Sequence, residues 1–219
     1  MTMRVCVNFY VDPISPYVWL ASKQLARIEA AGVGIAFRPV LFAGLLNAHG
    51  QKGPAEIAAK RVYTFTDVMR EAARRQLPFR GPPGHPFNPL QSLRMCLAID
   101  NLEERRRFAC AVFDACWEAG EDVSDLAVLQ RLAAQCGLDS AALTTAAGAP
   151  QLKQRLIDDT NAAIAAGVFG VPTFEVDGQL FWGGDRIDAL LWHLEGKRID
   201  MAARDAFLAR PALAKRPGA

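Results

Sequence analysis

Few residues in this chain have the type and setting to do chemistry, and the most informative is a serine. Asp12-Pro13-Ile14-Ser15-Pro16-Tyr17 follows an apolar run and leads into a helical pattern, so Ser15 falls where a helix starts. Serine is a favoured N-cap, and proline suits the first helical position because its missing N–H is one the helix leaves unpaired anyway. A hydroxyl there stands among free N–H groups at the positive end of the helix dipole, surroundings that suit an anion. Two readings stay open at this point: Ser15 is a plain cap, or it donates to a bound anion.

The other reactive types are set in quieter patterns. Cys6, Cys96, Cys110, Cys116 and Cys136 are odd in number, include no C-x-x-C pair and mostly sit in apolar helical stretches. They read as reduced core thiols and not as a disulfide framework or a zinc site. His49, His85 and His193 offer no local metal-ligand pair, and no Ser-His-Asp pattern supports a serine alkoxide. Lys60 reads as a solvated lysine on a helix, His85 as a surface-loop histidine, and Asp185 as the N-cap of a last helix. Glu103-Glu104-Arg105-Arg106-Arg107 reads as a solvated helix face, not a binding patch.

These residues need a scaffold, and the 219 residues suffice for one large domain or a domain with a substantial insertion. Hydrophobic content of 51% against 22% charged residues fits a globular protein, and a net charge of +2 gives no hint of a nucleic-acid partner. The apolar runs are too short to span a bilayer, so no membrane association is expected. No signal-like segment precedes the first strand pattern, so a cytoplasmic protein is expected.

Alternating apolar residues predict a strand over 4–10, covered on both faces. Val18, Ala21, Leu25 and Ile28 extend the Ser15 helix toward Gly32, and a second strand covers 35–40. Strand, helix and strand with short links make a parallel βαβ unit. The glycine-rich stretch 41–54 reads as a loop with one helical turn, followed by a helix from 55 to 76. The stretch 77–89 carries five prolines and reads as an irregular surface loop. Helices follow over 90–101, 103–119, 125–136, 140–147 and 151–166, with Asp125 and Ser140 as candidate caps. Residues 168–182 form a hairpin around Asp177-Gly178, a type I′ turn signal. Gly183-Gly184 ends it, a helix runs from Asp185 to Gly196, and the tail 197–219 holds one short helix. This order is βα-β, a helical block, then ββα. Two separated segments, 1–42 and 167–219, would share one mixed sheet, with 43–166 inserted as a helical domain.

Three motifs stand in order across this layout: Asp12 to Tyr17, Gly167-Val168-Phe169-Gly170-Val171-Pro172-Thr173, and Phe181-Trp182-Gly183-Gly184-Asp185-Arg186. With them the chain resembles the 2-hydroxychromene-2-carboxylate isomerase family. Through that family it resembles kappa-class glutathione transferases and, more distantly, thioredoxin-like disulfide oxidoreductases with a helical insertion. The resemblance implies an α/β fold, a thioredoxin-like mixed sheet with an inserted all-helical domain. It also implies bound glutathione, a small aromatic carboxylate as substrate, and a homodimer. Ser15 takes the place of the first cysteine of a redox pair. The window Ser15-Pro16-Tyr17-Val18 has no cysteine at all, and thiol–disulfide exchange needs a thiolate, so dithiol chemistry is not expected.

What the resemblance leaves is a site for the thiolate of glutathione, with Ser15 donating to its sulfur. Lowering a thiol pKa from about 8.5 by roughly two units takes about 2.7 kcal/mol, within reach of a charge-assisted hydrogen bond plus a helix dipole. The resemblance further implies a cis bond between Val171 and Pro172, with the Val171 backbone pairing along the glutathione peptide like an added strand. Gly184 and Asp185 would hold the γ-glutamyl end, with Trp182 as a secondary contact. Lys60 would hold a carboxylate. Gln51 stands where the family commonly has asparagine, and Phe87 and Asn88 would line the acceptor pocket. The implied activity is the glutathione-dependent interconversion of 2-hydroxychromene-2-carboxylate and trans-o-hydroxybenzylidenepyruvate. The alternatives are a kappa-type transferase or peroxidase, and a non-catalytic thioredoxin-fold binding module. In either catalytic case, cap and thiolate donor are one atom, so a ligand would share or displace the bond Ser15 makes to its own helix.

Overall fold

Val7, Phe9 and Val11 alternate with Cys6, Asn8 and Tyr10, and this period of two builds strand β1 (Cys6–Val11). A computed structural model describes residues 6–214. The expected strand start at Arg4 and Val5, and the tail end with Pro217, lie outside the described residues. Val7, Phe9 and Val11 are buried, whereas Asn8 and Tyr10 are half-buried and Cys6 is exposed. The expected double coverage of β1 therefore holds on one face only, and its other face is polar.

β1 pairs in parallel with β2 (Gly34–Pro39) and antiparallel with β3 (Thr173–Val176), which pairs antiparallel with β4 (Gln179–Trp182). The strand order is β2-β1-β3-β4, so the two ends of the chain meet in one sheet. Register sets Phe9 opposite both Phe37 and Phe174. The Phe9 ring stacks on Phe174 at 4.5 Å and meets Phe37 edge-on at 5.1 Å. Aromatic pairs prefer these offset and edge-to-face geometries, and the three fully buried rings anchor the core. Asp177 (φ 52°) and Gly178 (φ 71°) form the type I′ turn that the sequence predicts.

The long helix expected after Ser15 is two short ones, α1 (Pro16–Ser22) and α2 (Leu25–Glu29). The Ser22 hydroxyl donates to the Trp19 carbonyl at 2.7 Å and competes with the helical ladder. Lys23, at the break, is held by Asp114 (2.7 Å) and Glu118 (2.6 Å). After β2 the glycine-rich stretch is more ordered than expected: α3 (Phe42–Ala48) makes two turns, and a short 3-10 turn covers Pro54–Glu56. Then α4 (Ala58–Arg74) runs into the proline-rich loop.

The helical block follows as α5 (Leu90–Ala98), α6 (Leu102–Asp114), α7 (Leu126–Gln135), α8 (Ser140–Gly148) and α9 (Pro150–Ala165). Helix α6 ends in a π-helical turn over Ala115–Ala119. Asp125 caps α7 as expected, but Asp139, not Ser140, caps α8, accepting from Ala142 N–H at 2.9 Å. The charged run on α6 is not a uniformly solvated face either, because Arg105 is only 4% exposed. After the hairpin come a 3-10 turn over Gly184–Arg186, α10 (Ile187–Leu194) and α11 (Met201–Leu208).

All five cysteines are free. Burial pushes the Cys96 thiol up to about 12 and the Cys110 thiol up to about 11, so both stay protonated. Cys6, exposed at the start of β1, departs from the expected core setting. Among the described residues no helix is long and apolar enough to cross a membrane, and no group of three or more histidine, cysteine and acidic residues is arranged to hold a metal ion.

Candidate functional site

Ser15 stands at the N-cap of α1 with extended backbone (φ −94°, ψ 117°), yet its side chain makes no cap hydrogen bond. Pro16 at the first helical position removes one N–H that would otherwise need a partner. The Ser15 hydroxyl instead points across to the Val171 carbonyl at 3.5 Å, a long contact. No bond to its own helix has to be displaced for Ser15 to donate elsewhere, which removes the competition expected from sequence. Helix α1 has seven residues, about 10 Å of rise, so its dipole is shorter than the sequence implied and more of any anion stabilisation falls to the hydroxyl.

Asp12 holds the loop that presents Ser15. It is fully buried, and its two oxygens accept from Ile14 N–H (3.0 Å) and Phe42 N–H (2.9 Å). Its carbonyl accepts from Ser15 N–H at 3.1 Å. Burial pushes the Asp12 carboxyl up to about 7, and the two N–H donors work against that rise. His85 supports the same loop from the proline-rich side. Its Nε2 donates to the Ile14 carbonyl at 2.9 Å, which leaves Nδ1 as a bare acceptor, buried and without a partner. Burial lowers the His85 pKa, so the neutral ring is favoured. Phe65, Phe87 and Trp117 pack around it with ring centroids 5.1, 6.2 and 5.8 Å away. The Trp117 indole N–H donates to the Pro13 carbonyl at 3.0 Å. A carboxylate, an imidazole and an indole thus hold the backbone of Pro13 and Ile14 in one short loop.

Val171 and Pro172 are joined by a cis bond, and His85-Pro86 is cis as well. Both Val171 and Pro172 line a cleft of about 790 Å³. Its far wall is Gly183, Gly184 and Asp185, brought there by two close fits. Gly183 has φ +104°, a conformation reserved for glycine, and a Cβ on Gly184 would lie 3.2 Å from Ala21 Cβ on α1. Gly183 N–H donates to the Pro172 carbonyl (2.9 Å), which fastens the two motifs together. Asp185 caps no helix, contrary to the sequence reading. Its side chain is 71% exposed and pairs with Arg186 at 3.3 Å.

The near wall comes from α1 and α4. The Tyr17 hydroxyl donates to Asp67 at 2.9 Å, and burial with that bond raises its pKa. Glu71 is held down to about 2 by hydrogen bonds from Arg74 and then Arg75. Arg27 pairs with Asp188 across the rim. The cleft therefore presents charges of both signs, with Arg74 and Arg75 sharing Glu71 and Asp67 held by Tyr17, beside the apolar Leu20, Val171 and Pro172.

Residues 6–195 match the DsbA-like thioredoxin domain family. The chain belongs to that family. Within it, the chain is 30% identical over 193 residues to a 2-hydroxychromene-2-carboxylate isomerase of Sphingobium xenophagum, covering 86% of this chain and 97% of the relative. It is 27% identical over 208 residues to human glutathione S-transferase kappa 1, covering 88% and 91%. A solved 2-hydroxychromene-2-carboxylate isomerase superposes with TM-score 0.81 over 94% of this chain and 100% of that one, at 23% identity. The thioredoxin-like α/β fold inferred from the sequence is thus the fold of the chain.

In this DsbA-like frame, the residues expected from sequence fall into two groups. Ser15, Val171, Pro172, Gly184 and Asp185 come together, four of them on the cleft walls and Ser15 touching Val171. Lys60, Gln51, Phe87 and Asn88 do not line the cleft. Lys60 and Gln51 are exposed, Lys60 near the start of α4 and Gln51 just beyond α3. Phe87 packs toward His85, and the Asn88 side chain accepts from Leu90 N–H at 3.0 Å, opening α5. Sequence reasoning missed Asp12, Tyr17, Asp67, Glu71 and the arginines of the rim. Asp12 had one signal, an Asp-Pro directly after a buried strand.

Proposed function

We propose that the chain is a glutathione-dependent isomerase that interconverts 2-hydroxychromene-2-carboxylate and trans-o-hydroxybenzylidenepyruvate. The observation that carries this reading is Ser15: a buried hydroxyl at a helix start, free of any cap bond, beside a cleft bounded by Val171-Pro172 and Gly184-Asp185. The relatives named above support it.

The residues present fit a γ-glutamyl tripeptide. Its ammonium and carboxylates need partners of both signs, and the rim carries Asp185 and Asp188 beside Arg27, Arg74, Arg75 and Arg186. When bound, glutathione supplies a thiolate nucleophile whose reversible addition to a conjugated system lets a double bond rotate. Ser15 donates to the sulfur and favours its charged form. Val171 offers backbone groups at the cleft floor, and Gly184 and Asp185 receive the γ-glutamyl end. Asp12, His85 and Trp117 keep the Ser15 loop from relaxing. Lys60 and Gln51 for the substrate carboxylate, and Phe87 and Asn88 for the acceptor, belong to this proposal through the resemblance and lie off the cleft walls.

An absorbance assay with the chromene substrate tests the reading. Wild type should isomerise it only with glutathione present, and Ser15→Ala should lose most of the rate. Full activity without any thiol overturns the proposal. A stable glutathione conjugate with no isomerisation identifies a kappa-type transferase instead.

A further inference from the structure

A second pocket, of about 220 Å³, opens on the polar face of β1 and shares no wall residue with the cleft. That volume is many times the roughly 10–15 Å³ a single water needs. Asn8 and Tyr10 of β1 and Arg38 of β2 form one side, and Arg105 of α6 with Arg155 and Asp159 of α9 form another. Three guanidinium groups therefore converge on one small space.

Arg38 and Arg105 hydrogen-bond only neutral groups, and Arg155 adds two long ion pairs to one neutral bond. Arg105 Nε donates to the Ile99 carbonyl at 2.9 Å and its Nη1 to the Phe37 carbonyl at 3.4 Å. Arg38 Nε donates to Asn8 Oδ1 at 2.8 Å, and Arg155 Nη1 to the Leu97 carbonyl at 3.1 Å. The one carboxylate on the walls, Asp159, stays 3.7 Å from Arg155, and Asp100 outside lies 3.9 Å from it with a side chain 94% exposed. Glu175 accepts from the Asn8 amide at 2.6 Å. Burial, with Arg155 and Arg38 facing it, pulls the Arg105 pKa below the ordinary arginine value. Buried charges are normally paired, and among the described residues Arg105 hydrogen-bonds no carboxylate.

We propose that this pocket binds a dianionic phosphate group, free or as the end of a small ester. The three cations outnumber the one wall carboxylate, Asp159, and the exposed Asp100 beyond it, which leaves an excess of positive charge for an anion. Guanidinium forks suit phosphoryl oxygens, and a tetrahedral group takes donors from several directions where a flat carboxylate takes them in one plane.

Calorimetric titration of the full chain at constant ionic strength tests this, with inorganic phosphate, glycerol phosphate and malonate as probes against a chloride background. One equivalent of phosphate or of glycerol phosphate should bind, and malonate should bind more weakly than either. Tighter binding of the ester marks an ester site, and the reverse a free-ion site. Arg38→Gln and Arg155→Gln, both exposed at the pocket mouth, should each weaken binding about tenfold or more while glutathione binding is unchanged. No saturable phosphate binding to wild type overturns the proposal. So does malonate binding as tightly as phosphate, or phosphate affinity unchanged in both variants.

Discussion

A hydroxyl can hold a thiolate only if its proton is easily redirected, and Ser15 meets that condition because its side chain caps no helix and its one bond, to the Val171 carbonyl, is long at 3.5 Å. Ser15→Ala should keep the fold and lower kcat/KM by tenfold to about a hundredfold, the worth of one hydrogen bond to a charged group, measured in the isomerase assay. Asp12 gives a pH signature. Its carboxyl titrates near 7 in the fold and near 3.9 in an unfolded chain, so between those values the folded state keeps a proton that the unfolded state has lost. Stability should therefore fall as pH rises from about 4 to 7 and level off above, by up to about 1.4 kcal/mol per unit. Urea midpoints at several pH values should show this slope in wild type and lose it in Asp12→Asn; parallel curves would contradict it. Ser15, Pro172 and Asp185 were legible in the sequence because each sits in a contiguous motif. Asp12 and Arg105 were not, because their settings depend on groups distant in sequence, Phe42 N–H for Asp12 and the Phe37 carbonyl for Arg105.

At the scale of elements, the cleft depends on how closely the turn after β4 approaches α1. A methyl added in Gly184→Ala would press on Ala21, with Cβ 3.2 Å from its Cβ and 3.4 Å from its Cα. Overpacking of this kind costs roughly 1–3 kcal/mol. On the proposed function, the expected result is a several-fold rise in KM for glutathione with kcat little changed, because the wall proposed for the γ-glutamyl end moves while Ser15 does not. A lower kcat at unchanged KM would contradict that division. Most elements were readable from periodicity and from signals such as Asp177-Gly178. The breaks were not: α1 ends early because Ser22 and Lys23 are drawn to Trp19, Asp114 and Glu118, and Asp139 outcompetes Ser140 as a cap.

The whole molecule is a sheet assembled from the two ends of the chain, and Phe9 is its joint. It stacks on Phe174 from one end segment and meets Phe37 from the other, with none of its surface exposed. Phe9→Ala should cost about 3–5 kcal/mol, and unfolding followed by circular dichroism and by tryptophan fluorescence should remain one coincident transition. The same joint brings Val171, more than a hundred and fifty residues away, to Ser15. The βα-β and ββα patterns made this sheet visible in the sequence, whereas the arginine rim and the second pocket arise only when α4, α6 and α9 pack around it. The central claim is that Ser15 stabilises a thiolate that belongs to a bound ligand. The most direct measurement is the thiolate absorbance of glutathione bound to the protein, titrated between about pH 5 and 9. Bound to wild type, the thiol should titrate roughly two units below its free value of about 8.5, and Ser15→Ala should return at least one of those units. A bound thiol that titrates at its free value in wild type, or identically in the variant, would contradict the account.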